Sequence, residues 1–303
     1  MHASPLSQHC PDWATALCNG FSQIFLQRHP LCGVFCLLAI VVSAPALVGG
    51  ALLGGLSGLL TAQRRGYPKA QRQAGLYSYN GVLLGLLLSH QLPWSPMLPL
   101  LIIASAGLST MLIHQWLKRA HRDQSLMAYT APFVALGWLL LSLNAAPAAS
   151  LSATPPVTAH TLLQGLFSGL GQVMLLPSPI AGLLIVMGLW LSHWRAALWA
   201  LAGSLAGLGF SLLEHEALAA LSGLGGYNAA LAALALSQGT RQPWRPLAGI
   251  ALALLLTPGF AALGLPALTA PFILSCWLVH ASVRVLKPTT NRRPEESGLR
   301  IER

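Results

Sequence analysis

Acidic side chains are scarce in this chain: Asp and Glu number 7 among 303 residues, against 17 Lys and Arg, and charged residues of both signs make up only 8% of it. An ordinary soluble domain carries about 25% charged residues, so the composition excludes a normal soluble surface. Segments 96–117, 126–143, 196–213, 246–264 and 267–283 hold few or no charges. About 20 apolar residues carry a helix across hydrocarbon, and several of these segments can span. No Asp, Glu, Lys or Arg sits in the middle of one. Pumps and ion-coupled carriers keep an ionisable group at depth to bind the charge or pass the proton; its absence favours a neutral polar solute. A nucleophile or acid/base constellation is missing too, which argues against an intramembrane enzyme. The five cysteines, Cys10, Cys18, Cys32, Cys36 and Cys276, fall at no metal-ligand spacing, and no cofactor is expected. The N-terminus lacks a charged region followed by an apolar stretch and cleavage site, so no removable signal peptide is expected.

What the chain does have is apolar surface: 54% hydrophobic residues and a mean hydropathy of +0.63. The net charge of +10 is carried between apolar segments, by Arg64, Arg65, Lys69 and Arg72, by Lys118, Arg119 and Arg122, and by Arg284 onward. Positive connectors beside spans mark the cytoplasmic side, so the lipid bilayer is the partner implied and nucleic acid is not. The tail 284–303 is basic, with the Pro, Thr, Asn, Arg and Glu composition of a disordered segment.

The chain also repeats itself. Tyr79-Asn80-Gly81-Val82-Leu83 returns as Tyr227-Asn228-Ala229-Ala230-Leu231, and Thr130-Ala131-Pro132-Phe133 returns as Thr269-Ala270-Pro271-Phe272. Gln23, with Pro30-x-x-Gly33, is answered by Gln172, with Pro179-x-x-Gly182. The offsets are 172 − 23 = 149, 228 − 80 = 148 and 269 − 130 = 139. The halves stay in register until about nine residues are lost, which is duplication rather than a solenoid array. The predicted organisation is an N-terminal segment 1–19, a first membrane repeat 20–145, a linker 146–160, a second repeat 161–283 and the tail. Short apolar pieces begun by Pro30 and Pro179 read as discontinuous helices entering part way, with a solute path between the repeats. Their breaks are expected to leave backbone carbonyls free to line that path. The Gly-rich stretches 46–60 and 196–212 read as scaffold, since small residues allow close helix packing. Roughly five crossings per half imply inversion.

The residues at depth able to do chemistry are neutral: Gln23, Asn80, Thr130, Gln172, Asn228 and Thr269. Glutamine offers an acceptor and two donors, threonine one donor and two lone pairs, and together they can replace water around an amide. The plain alternative for each threonine is a bond to its own i−4 carbonyl. Tyr79 with Leu83, and Tyr227 with Leu231, share helical faces; they are core packing or facing plates that admit a flat molecule. Asn80 and Asn228 read as ties for free backbone groups. Glu214, His215 and Glu216 read as a solvated connector.

On these duplicated motifs the chain resembles the urea transporter family, the urea channels, from about Gly20 to Val283, with Leu265–Phe272 and Trp277 adding to the match. The resemblance implies an all-α integral membrane homotrimer. Each protomer would hold its own pore between two inverted five-helix repeats with tilted half-spanning helices. It implies passive diffusion of urea down its gradient, and the membrane expected is the cytoplasmic membrane of a bacterium. By position it sets Gln23 and Gln172 at the ends of the filter and Thr130 and Thr269 at its narrow middle. Tyr79, Leu83, Tyr227 and Leu231 would form the walls, with Val173 beside Gln172. Leu26 and Leu175 stand where some members carry phenylalanine, and Tyr79 and Tyr227 also replace phenylalanine. Ammonia, a short amide or water remain open as alternative permeants, as does a non-conducting scaffold or sensor.

Overall fold

The computed structural model describes residues 12–123, 126–143, 156–238 and 242–286, all helix, turn and coil without a strand among them. In the first half the helices are α1 (Asp12–Gln23), α2 (Pro30–Ser43), α3 (Val48–Arg64), α4 (Lys69–Gln73), α5 (Tyr79–Gln91), α6 (Met97–Asp123) and α7 (Ala131–Ser142). The second half has α8 (Ala159–Gln172), α9 (Pro179–Leu213), α10 (Ala217–Ser222), α11 (Tyr227–Ser237), α12 (Trp244–Ala262) and α13 (Ala270–Leu286). The order is the same in both, with α9 standing for α2 and α3 together. Four stretches are long and apolar enough to cross a bilayer: Pro45–Arg64, Met97–Ala120, Pro179–Leu213 and Trp244–Ala262. The remaining apolar helices are short, as the proline-started pieces foretold. The expected linker 146–160 and tail 284–303 lie largely outside the described residues.

α9 is not straight. His193 leaves helical geometry (φ −163°, ψ 107°), and the chain turns back on itself there. A Cβ on Gly182 would fall 1.8 Å from the Phe167 carbonyl oxygen, and one on Gly169 would fall 2.2 Å from Ser204 Oγ. Residues 182 and 204 thus both touch one short stretch of α8, which a straight helix rising 1.5 Å per residue forbids. Ala44 leaves helical geometry in the first half at the equivalent position (193 − 44 = 149), just before Pro45. The Gly-rich stretches are scaffold: a Cβ on Gly54 would lie 2.0 Å from the Gly81 carbonyl, which locks α3 to α5.

Helix ends explain most of the unusual backbone. Leu26 (φ 58°) and Leu175 (φ 60°) are left-handed without being glycine. Each closes its helix with a Schellman cap, in which Gln27 N–H donates to the Ser22 carbonyl and Leu26 N–H to that of Gln23, as Leu176 does to Gly171 and Leu175 to Gln172. This narrows the expectation of free carbonyls at the breaks: the last turns of α1 and α8 satisfy themselves locally, and the Phe25 and Leu26 carbonyls accept from the Gln27 and Gln238 side chains.

Contacts between the halves are reciprocal. Trp138 Nε1 donates to the Pro266 carbonyl at 2.8 Å and Trp277 Nε1 donates to the Met127 carbonyl at 2.8 Å, the same contact with the halves exchanged. α2 and the first arm of α9 run antiparallel: Ser192 bonds Gln27 at 3.0 Å, while Gly188 lies against Cys32 and Phe35.

Candidate functional site

The two halves meet at Thr130 and Thr269. Each ends a short turn and opens a helix: Val134 N–H donates to the Thr130 carbonyl and Ile273 N–H to the Thr269 carbonyl. Neither hydroxyl is used on its own helix. The Oγ1 atoms bond each other at 2.7 Å, both side chains being buried, so the i−4 alternative does not hold. Because Trp138, two turns along α7, reaches Pro266 just before Thr269, and Trp277 reaches Met127, the helices leave this pair in opposite senses. Two helix N-termini, each carrying a partial positive charge of about half a unit, therefore face one another at the threonines.

The residues just ahead of the pair, Tyr129 (φ 44°) and Leu268 (φ 43°), are the positive-φ positions that close no helix among the described residues. Left-handed geometry costs a non-glycine residue about 1–2 kcal/mol, and here each of the two carbonyls accepts from a side chain of its own half. Asn228 Nδ2 donates to the Leu268 carbonyl at 3.0 Å, and Asn228 Oδ1 accepts from Phe272 N–H at 3.2 Å. The first half solves the same problem differently: the Tyr79 hydroxyl donates to the Tyr129 carbonyl. The Asn80 side-chain atoms are buried without a hydrogen-bond partner. The backbone tie expected of both asparagines is thus made by one of them.

On the second-half side a cavity of about 460 Å³ leads to Thr269, lined also by Gln172, Val173, Leu175, Tyr227 and Phe133. Five of the sequence-predicted site residues converge there: Gln172, Val173, Leu175, Tyr227 and Thr269. Gln172 Nε2 donates to the Ser222 carbonyl at 3.0 Å, which holds the amide in the wall. Glu214 and Glu216 are exposed in the connector between α9 and α10, the solvated loop expected, and they also line the cavity.

The first-half counterparts Gln23, Tyr79 and Thr130 are buried and do not line this cavity, and Gln23 Oε1 has no hydrogen-bond partner. Tyr67 stacks on His114 with ring centroids 3.7 Å apart, and His114 Nδ1 lies 3.0 Å from the Tyr77 hydroxyl, which also bonds Gln71. Burial pushes the Tyr77 phenol up to about 12, so it stays neutral. Leu83 and Leu231 are each 1% exposed and pack in the core rather than on the cavity. Leu26 lines a different crevice beside His193. No cluster able to hold a metal ion occurs among the described residues.

Duplicated halves, short helices meeting head to head, and a cavity with acidic groups only at Glu214 and Glu216 that ends on paired hydroxyls define a multi-pass membrane transport protein. The chain belongs to a known family of that class: the urea transporter family model matches residues 14–283. It is similar to urea transporter 1 of Ovis aries and of Capra hircus, each 27% identical over 298 residues, covering 88% of this chain and 75% of the relative. Urea transporter 1 of Rattus norvegicus is 29% identical over 251 residues, 74% of this chain and 62% of the relative.

Phe133 on the cavity wall and Phe272, edge-on to Tyr129 at 5.0 Å, belong to the site although sequence reasoning treated them only as part of a repeated motif. Their duplication was the available signal.

Proposed function

We propose that this chain is a channel passing urea down its gradient across the cytoplasmic membrane of a bacterium. It works as a homotrimer with one pore per protomer between inverted halves, without a cofactor. The observation that carries the reading is the Thr130–Thr269 pair, 2.7 Å apart at two opposed helix N-termini. Inversion is supported by the reciprocal tryptophan bonds and by the antiparallel packing of α2 on α9. The basic stretch Arg64–Arg72 and the basic end of α6, Lys118–Arg122, face the cytoplasm on this reading.

Moving an amide out of water without partners costs roughly 2–7 kcal/mol. Urea has one carbonyl acceptor and four N–H donors, and each threonine hydroxyl can exchange its mutual bond for one to the solute. The positive ends of α7 and α13 favour the urea carbonyl and repel cations. Val173, Leu175 and the tyrosine faces offer nothing to a hydrated ion, which keeps its water and is excluded.

Stopped-flow uptake into proteoliposomes tests this, with wild type beside Thr130→Val/Thr269→Val. Fast urea uptake that the double variant loses is the expected result. Flux of ammonia, a short amide or water in place of urea would reassign the permeant, and no flux from folded wild type would leave a non-conducting scaffold or sensor.

A further inference from the structure

The turn at His193 and its counterpart at Ala44 occupy equivalent places, yet their chemistry differs. Around the second turn stand Trp190, His193, Trp194, Arg195 and Trp199; at the equivalent positions, each 149 residues earlier, stand Val41, Ala44, Pro45, Ala46 and Gly50. The first set shows that the fold itself needs only small apolar residues there. His193, Arg195 and Trp199 of the second turn line a crevice of about 710 Å³ whose polar lining also includes Gln27, Ser237 and Gln238. No acidic residue lines it among the described residues. Arg195 and Trp199 also line an adjoining apolar groove of about 320 Å³ with Trp194, Leu198 and Ala202. Trp190, Trp194 and Leu198 are exposed on that flank, and tryptophans of this kind mark the level of lipid headgroups.

We propose that this crevice binds an anionic phospholipid, its phosphate held by Arg195 with His193 and the glutamine amides, and one acyl chain lying along the Trp194–Leu198–Ala202 groove. Charge and shape select this occupant together. A cationic polar pocket opening onto an apolar groove fits a molecule that is anionic at one end and hydrocarbon at the other. A free anion would use only the pocket. A basic pocket between membrane helices is a recognised way of holding acidic headgroups, and a basic side chain near the surface strengthens such binding about fivefold.

Native mass spectrometry of the full chain, titrated with phosphatidylglycerol and with phosphatidylcholine of the same acyl chains, tests the site. Wild type is expected to retain phosphatidylglycerol in preference. Arg195→Gln should reduce that preference about fivefold, while Arg195→Lys keeps most of it and Arg64→Gln, in an exposed connector, leaves it unchanged. Retained urea uptake by Arg195→Gln would certify its fold, and wild type that binds the lipid but passes no urea would sink only the transport reading. Equal retention of the two lipids by wild type, or equal loss in Arg64→Gln, would overturn the proposal. So would inorganic phosphate alone displacing the bound lipid, or a change of oligomer mass in Arg195→Gln in place of lipid loss.

Discussion

Thr130 and Thr269 lie 139 positions apart in the chain and share one hydrogen bond, Oγ1 to Oγ1, at 2.7 Å. Each is the other's partner in a buried place, so replacing one strands the other. Thr130→Val alone, and Thr269→Val alone, are each expected to destabilise the protein by about 1–3 kcal/mol, the usual penalty for an unpaired buried polar group. The double variant should be less destabilised than the sum of the singles, because no hydroxyl is then left over. Thermal unfolding of all four proteins in one detergent gives the coupling; strict additivity would mean that the pair is not an energetic unit.

Leu26 and Leu175 hold left-handed backbone at the caps of α1 and α8. Glycine adopts this geometry freely and alanine does not. With the side chain removed in both cases, Leu26→Gly is expected to be more stable than Leu26→Ala by about 1 kcal/mol, and the same order should hold at position 175. Leu56, inside α3, should show the opposite order by about 1 kcal/mol. A matching order at all three positions would contradict the capped geometry.

The architecture was legible because duplication is written in the motifs themselves: Tyr79-Asn80 and Thr130-Ala131-Pro132 recur at depth, and prolines start the short helices. What the sequence concealed is how the copies diverge. Asn80 and Asn228 are the same residue at the same place, yet the Tyr79 hydroxyl reaches the Tyr129 carbonyl first and leaves Asn80 without that bond. Leu26 and Leu175 read as missing aromatics, whereas their backbone closes helices, a property of φ that leucine does not advertise. Glu214 and Glu216 are solvated as they read, but nothing local says that their loop also borders a cavity.

The divergence makes an asymmetric pattern of mutations. Asn228→Ala removes a donor to the Leu268 carbonyl and an acceptor from Phe272 N–H, and is expected to cost about 2 kcal/mol or more. Asn80→Ala removes no such bonds and should cost less. Tyrosine reverses the order: Tyr79→Phe strands the Tyr129 carbonyl, while Tyr227→Phe alters a half-buried residue on the cavity wall. Unfolding midpoints of the four variants check both orders, and equal effects within each pair would show the halves to be equivalent.

Asp12, at the start of α1, pairs with Lys69 Nζ at 2.6 Å and accepts a hydrogen bond from Gln73 Nε2 at 3.0 Å, which ties α1 to α4. The hydrogen bond and charge of Lys69 hold its carboxyl below the usual 3.8. A lowered folded value means that the tie is present above about pH 3.8 and is lost as pH falls through the folded value. Both side chains are exposed, so the effect is local rather than global. Hydrogen exchange in the second turn of α1, where the amides first gain intrahelical partners, should therefore quicken below about pH 4 in wild type once corrected for the intrinsic pH dependence. Lys69→Ala should exchange quickly at neutral pH already and lose most of the pH response. Slow exchange at neutral pH in that variant would mean that packing alone, of Leu17 and Phe21 among others, holds the helix whose far end carries Gln23.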